Sequence, residues 1–137
     1  MSFTWPVRVY YEDTDTAGVV YYANYLKFME RARTEWLRSL GFEQDRMIRE
    51  QGVVFAVRRV QVDYLKPARF NELLEVTAAL GELGRASLGF AQEIRRAGEG
   101  GPEILSRGEI TVACLDAGSL RPRRIPESLY EAIERVR

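Results

Sequence analysis

Two periods of hydrophobic patterning divide the chain. Over residues 22–40, Tyr25, Leu26, Met29, Ala32, Trp36, Leu37 and Leu40 recur at three- and four-residue spacing. That spacing predicts a helix with one apolar stripe, its other faces covered by Lys27, Glu30, Arg31, Arg33, Glu35 and Arg38. Such a helix is about 28 Å long at 1.5 Å per residue, and Gly41 supplies its stop. A shorter helix is expected over 43–51. From Val53 the period falls to two. Val53, Phe55 and Val57 share one parity, and Val60, Val62 and Tyr64 share the other. The phase therefore slips at Arg58-Arg59, as a β-bulge or a bend requires.

Pro67 ends that strand. Leu74, Val76, Ala78 and Leu80 predict a third strand, and Ala86, Leu88, Phe90 and Ile94 a fourth. A fifth is expected over 104–115, with Ile110, Val112 and Cys114 on one face. Ahead of the long helix, Val7, Val9 and Tyr11 alternate with Arg8, Tyr10 and Glu12, which predicts a short strand over 6–12. The glycines and proline of 97–102 read as a hairpin loop rather than a linker. Residues 126–137 read as a terminal amphipathic helix with Pro126 near its first turn. A strand, a long helix, four strands in series and a short helix imply an α+β domain with an antiparallel five-stranded sheet, expected to span 1–137. One helix covers only one sheet face. The other still carries apolar residues, and that surface, or a sheet edge, is expected to be buried in an oligomer.

Composition changes the picture mainly by exclusion. The 137 residues hold 20 basic and 20 acidic side chains, one cysteine, no histidine and 46% apolar residues. Without histidine there is no Ser-His-Asp triad and no imidazole zinc ligand. With one cysteine there is no internal disulfide, so nothing marks a secreted protein. The opening Met1-Ser2-Phe3-Thr4-Trp5-Pro6 lacks the pattern of a signal peptide. No apolar run approaches the roughly 18 residues of a membrane span. Balanced charge gives no reason to expect nucleic acid or a membrane as partner. The expectation is a cytoplasmic domain whose chemistry comes from carboxylates, hydroxyls, tyrosines or backbone dipoles.

The densest cluster of such groups lies between Tyr10 and Tyr25. Glu12, Asp13 and Asp15 fall within four positions, just ahead of the long helix. Unpaired N–H groups and the helix dipole make that helix end favourable to negative charge. A carboxylate beside such amides can attack a carbonyl, or activate water to do so, while the amides stabilise the oxyanion. Gly18 allows close approach of the backbone to a ligand. Asp13 and Asp15 can equally serve as turn and capping residues, and that alternative stays open. An EF-hand loop fails at Ala17 and Asn24, which stand where ligands are needed. A phosphotransfer loop fails for want of a parallel β/α framework. Cys114 lies on an apolar parity and reads as buried. Glu30 and Glu35 read as helix-surface residues, with Arg31 and Glu35 suitably spaced to pair.

The run Arg-Val-Tyr-Tyr-Glu-Asp-Thr-Asp-Thr-Ala-Gly-Val-Val-Tyr-Tyr-Ala-Asn-Tyr-Leu, followed by Glu-Arg-Ala-Arg-Thr-Glu, resembles the 4-hydroxybenzoyl-CoA thioesterase family. Within that family it is most similar to the acyl-CoA thioesterases associated with the Tol-Pal system. Phe55-Ala56-Val57-Arg58-Arg59, Tyr64-Leu65-Lys66-Pro67-Ala68-Arg69 and Arg121-Pro122-Arg123 extend the resemblance over nearly the whole chain. It implies a hot-dog fold, acyl-CoA thioester hydrolysis, and a homodimer assembling to a homotetramer. It implies no metal and no prosthetic group, coenzyme A being part of the substrate. Asp15 matches the catalytic carboxylate, Gly18 the glycine of the turn, and the Tyr22 amide the group that polarises the thioester. Val20, Tyr21 and Asn24 fall beside them as substrate-binding candidates. The phosphates of coenzyme A need cations, for which Arg58, Arg59, Lys66, Arg69 and Arg85, with Ser87, are candidates. Arg121-Pro122-Arg123-Arg124 is too short a run to argue for nucleic acid. Members of the subfamily commonly carry histidine where this chain has Tyr22. The alternative on the same fold is a non-catalytic protein that binds acyl-CoA or an acyl carrier protein.

Overall fold

The computed structural model describes residues 3–137; Met1 and Ser2, the first residues of the stretch expected to lack a signal peptide and of the expected 1–137 domain, lie outside the described residues. The elements run β1 (Phe3–Arg8), α1 (Tyr22–Ser39), α2 (Gln44–Gln51), β2 (Val53–Tyr64), β3 (Leu73–Leu83), β4 (Ser87–Gly98), β5 (Gly101–Asp116) and α3 (Glu127–Val136). All five strands form one antiparallel sheet in the order β1-β3-β4-β5-β2. Among the described residues no helix is long and apolar enough to cross a membrane.

The hydrophobic periods account for most of this. The phase slip in β2 is a register shift between Val57 and Arg59, with Arg58 as the extra residue. Before it, Phe55 and Val57 oppose Cys114 and Val112; after it, Val60 and Val62 oppose Ile110 and Gly108. Cys114, Val112 and Ile110 are buried. The bulge thus keeps Val60 and Val62 on the same helix-facing side as Phe55 and Val57, although their sequence parity changes.

α1 crosses the inner face over β3, β1 and β4. It buries Tyr25, Phe28, Met29, Ala32, Trp36 and Leu37 against Leu74, Val76, Phe90, Ile94 and Ile110. Trp36 meets Phe90 edge to face at 5.2 Å. Gly108 lets the helix sit close, because a Cβ there would lie 3.0 Å from the Met29 sulfur. The core also holds a buried amide whose needs are met. Gln92 Nε2 donates to the carbonyls of Met29 and Thr77 at 3.0 and 3.1 Å, and its Oε1 accepts from Arg33 at 3.0 Å. Left without those partners, a buried amide would cost about 1–3 kcal/mol.

Several expectations are corrected. The first strand covers Phe3–Arg8 rather than 6–12. Beyond it the chain turns into a single 3₁₀ turn at Tyr11–Asp13, leaving Tyr11 80% exposed. Leu26 lies outside the buried stripe, and Phe28 is inside it. The loop over 97–102 narrows to Glu99-Gly100, because Ala97 and Gly98 pair with Pro102 and Gly101. Glu35 pairs with Arg38 at 2.6 Å rather than with Arg31.

The outer sheet face is not apolar. It carries Thr77, Ala79, Ala91, Glu93, Arg95, Arg107 and Glu109, with Arg107 paired to Glu93 at 3.3 Å. Alternation sends small and charged side chains outward, and only the inward positions are large and apolar. Uncovered apolar surface lies instead on the inner side of edge strand β2. Val57, Val60 and Tyr64 there are 48%, 42% and 45% exposed, because α1 stops short of that edge.

Candidate active site

The segment between β1 and α1 closes on itself before the helix starts. Asp13 is only 6% exposed, and both its carboxylate oxygens are occupied. Oδ2 accepts the Tyr10 N–H at 2.8 Å, and Oδ1 accepts the Asn24 side-chain N–H at 2.9 Å. The Asp13 carbonyl accepts the Tyr21 N–H at 3.0 Å. Asp13 therefore ties the end of β1 to the first turn of α1. For this residue the structural alternative holds.

Asp15 stands at the tip of the same loop in a different state. Its N–H donates to the Val19 carbonyl at 2.9 Å, and its carbonyl accepts the Gly18 N–H at 3.0 Å. Oδ1 accepts the Ala17 N–H at 2.8 Å. Among the described residues Oδ2 has no hydrogen-bond partner and no cation within ion-pair distance, and the side chain is exposed. Along the backbone Asp15 stands two residues, about 7 Å, beyond the hydrogen bond from Tyr21 N–H to Asp13.

Gly18 closes the turn at φ +79°. A Cβ added there would meet nothing within 4 Å, so the cost of a side chain is conformational alone. Gly18→Ala is expected to lower unfolding stability by about 1 kcal/mol, read as a lower urea midpoint at unchanged slope. An unchanged midpoint would show that the turn tolerates a side chain.

α1 begins without a side-chain cap: Tyr21 occupies the capping position, and its side chain makes no bond to the helix end. Asn24 N–H is satisfied by the Tyr21 carbonyl at 2.8 Å. Among the described residues, Tyr22 and Ala23 N–H have no acceptor. An 18-residue helix thus presents two free donors and its positive dipole end beside the Asp15 loop.

A ladder of rings borders these amides. Tyr21 and Tyr22 lie 4.7 Å apart, Tyr22 meets Tyr64 at 6.2 Å, and Tyr64 meets Tyr25 at 5.3 Å. The Tyr25 hydroxyl accepts the Ala68 N–H at 2.9 Å. Burial, with Tyr22 and Tyr25 nearby, pushes the Tyr64 phenol above its ordinary 10.0. Burial raises Tyr25 against the opposing effect of the Ala68 N–H. The neighbouring Tyr22 hydroxyl raises Tyr21. Tyr21, Tyr25 and Tyr64 are therefore neutral phenols at pH 7, adding donors and apolar surface but no negative charge.

The structure brings together Asp15, Gly18, Tyr21 and Tyr22, and separates them from the other candidates. Val20 is buried, with its N–H on the Ala68 carbonyl at 2.8 Å, so it packs and is not open to a ligand. Asn24 is tied to Asp13. Arg58 and Ser87 meet on a shallow groove of about 250 Å³ that also includes Ala86 and Pro122. Arg59 lies opposite Thr111, and Arg85 beside Arg124 and α3. Lys66 pairs with Glu103 at 3.2 Å. The exposed Arg69 donates its backbone N–H to Glu72. These cations form no single phosphate cluster within one chain. Arg123 is held by Gly52 and Asp116, and Cys114 is buried, its thiol pushed up by that burial. Among the described residues no three His, Cys, Asp or Glu side chains converge to hold a metal ion.

Tyr64 and Tyr25 border this junction, and sequence reading did not single them out as candidates. In sequence they read as a strand position and a helix-stripe position. Only the meeting of the end of β2 with the start of α1 places them beside the free amides.

Residues 17–103 match the family model described as the thioesterase superfamily. The chain is 41% identical over 136 residues to acyl-CoA thioesterase YbgC of Haemophilus influenzae, covering 99% of this chain and 97% of that one. It is 44% identical over 127 residues to acyl-CoA thioester hydrolase YbgC of Escherichia coli, covering 93% and 92%. A crystal structure of a probable thioesterase from Bartonella henselae superposes with a TM-score of 0.85 at 32% identity, over 92% of this chain and 100% of that one.

Proposed function

The chain belongs to the thioesterase superfamily, and from that premise we propose that its loop-and-helix junction hydrolyses a CoA thioester through Asp15 and the amides of Tyr22 and Ala23. It is an acyl-CoA thioester hydrolase of the hot-dog fold. The assignment of roles rests on one observation above all. An uncapped helix with two free N–H groups starts beside a carboxylate that keeps one oxygen free.

The chemistry follows from those groups. The thioester oxygen accepts from the Tyr22 and Ala23 N–H groups, which become better partners as negative charge grows on it. Asp15 then attacks the carbonyl carbon to give a mixed anhydride, or takes a proton from the water that attacks it. Either route consumes one water and releases a carboxylic acid and the CoA thiol. A preorganised oxyanion donor is worth about 10²–10³ in rate. Because the donors are backbone groups, tyrosine in place of histidine at residue 22 leaves them in position. In this reading the reaction needs no metal or prosthetic group and takes place in the cytoplasm.

The test is loss of thioester absorbance with a panel of acyl-CoA substrates. Turnover is the expected result. Tight CoA binding with negligible turnover on every substrate would make the protein an acyl-CoA or acyl-carrier-protein binder instead.

The reading includes a homodimer joined through the edge of β2, pairing two such dimers into a tetramer. Among the described residues β2 pairs with one strand, β5, and its other backbone edge is unpaired beside exposed valines. A second copy would also supply cations to a site that one chain leaves dispersed. Light scattering at micromolar concentration should give at least twice the monomer mass, and a monomer would overturn this part of the reading.

A further inference from the structure

The Asp15 loop has a second anchor besides Asp13. The segment 65–72, which joins β2 to β3, lies against it. Val19 and Arg69 form an antiparallel bridge, and Val20 N–H donates to the Ala68 carbonyl at 2.8 Å. The Val19 carbonyl in turn accepts the Asp15 N–H at 2.9 Å. A strip of backbone bonds thus carries the position of Ala68 and Arg69 to Asp15.

Backbone bonds also fix the ends of that segment. Leu65 and Lys66 donate to the Leu105 carbonyl, and Asn71 donates to the Val9 carbonyl. Its middle, the part that meets the Asp15 loop, is held by side chains. The buried Tyr25 hydroxyl accepts the Ala68 N–H at 2.9 Å. Arg96 follows the buried Ile94 by two residues on β4, so it stands on the helix-facing side, opposite Glu103 of β5. Its Nη1 donates to the Pro67 carbonyl at 3.0 Å and to the Glu72 carboxylate at 3.1 and 3.2 Å. Its Nη2 donates to Glu103 at 3.1 Å. Glu72 extends the chain of contacts, its Oε1 accepting the Arg69 N–H at 2.6 Å.

These side chains are shielded. Arg96, Glu72 and Glu103 are 21%, 29% and 31% exposed, against 68% and 55% for the Arg46–Glu50 pair on α2. An exposed pair contributes little to order, whereas a shielded network with its partners in place rigidifies what it holds.

We propose that Arg96 is a positioning residue for the hydrolysis: through Pro67 and Glu72 it fixes the middle of the 65–72 segment, and through that segment the Asp15 carboxylate beside the α1 amides. The inference rests on the reading that Asp15 carries the chemistry. The Arg96 hydrogen bonds run to this segment and to β5 and none to Asp15, so its effect is indirect. A displacement of about 1 Å at a reacting group, caused far from it, costs about a hundredfold in rate.

The experiment measures kcat and KM with the acyl-CoA that wild type turns over fastest, in wild type, Arg96→Gln, Glu72→Ala and Glu103→Ala, with a urea titration of each. The two acids separate positioning from stability. Glu103→Ala removes ion pairs to Arg96 and Lys66 but leaves the Pro67 and Glu72 contacts in place. Glu72→Ala removes an ion pair to Arg96 and also the acceptor of the Arg69 N–H. Arg96→Gln and Glu72→Ala are expected to lower kcat about ten- to a hundredfold, with KM moving by less than about threefold. Glu103→Ala is expected to change kcat by less than about threefold, whatever it does to the urea midpoint. A fall in Glu103→Ala as large as that in Glu72→Ala would mark a merely structural network and overturn the inference. So would an unchanged kcat in Arg96→Gln, or a change confined to KM. If Arg96→Gln does not fold, the contrast between the two acids decides. Full activity in Asp15→Asn, or no turnover by wild type, would instead defeat the underlying reading.

Discussion

Asp15→Asn is expected to lower kcat for acyl-CoA hydrolysis by about a hundred- to ten-thousand-fold, the range typical of a lost general base or nucleophile. Stability should hardly change. The Asp15 side chain is exposed and makes one bond, accepted by Oδ1 from Ala17 N–H. Asparagine retains an oxygen for that bond and loses only the charge and the nucleophilic oxygen. The unfolding free energy is therefore expected to move by no more than about 0.5 kcal/mol, as for a typical surface substitution. The paired measurement is thioester absorbance for rate and a urea titration for stability. Retention of more than a tenth of wild-type activity would remove Asp15 from the chemistry. A large loss of stability would mean that any loss of rate reports the fold rather than the reaction.

The neighbouring acid should behave in the opposite way. Asp13→Ala is expected to cost about 3 kcal/mol of stability, because it removes two charge-assisted hydrogen bonds and strands their donors in a part-buried site. Those donors are the Tyr10 N–H and the Asn24 amide, 2.8 and 2.9 Å from the carboxylate. Asp13→Asn should fall between the two, since its oxygen can accept one of them while its nitrogen faces the other. Denaturant unfolding separates these outcomes. A midpoint in Asp13→Ala equal to that of wild type would show that the loop does not depend on this tie. The contrast between two aspartates only two residues apart tests whether the loop divides its labour, one acid holding the helix start and the other free to react.

The distinction between them bears on how the site could have been found. Both aspartates read alike in sequence, each a candidate for turn, cap or catalyst. The family resemblance points to Asp15, and the hydrogen bonds separate the two acids: both Asp13 oxygens are occupied. The same bonding removes Asn24 and Val20 from the ligand-binding set. Asn24 is committed to Asp13, and Val20 is packed inside. Tyr64 enters the set for the converse reason. It lies far along the chain from Tyr22, and no local pattern brings the two rings together.

What the sequence alone determined is what repeats over a few residues. The 3.6-residue stripe of α1, the alternation of β3, β4 and β5, and the phase slip at Arg58-Arg59 are each written within one element, because a side chain's direction follows from its own backbone period. The element order then restricts the sheet to an antiparallel one covered by a single long helix. Where that helix lies across the sheet is decided by packing between elements, through contacts such as Met29 on Gly108 and Trp36 on Phe90. That placement leaves β2 uncovered and puts the exposed Val57, Val60 and Tyr64 at the sheet edge. Such features depend on which distant residues meet. Periodicity can say which side of an element is apolar, but only the tertiary structure decides what, if anything, that side is packed against.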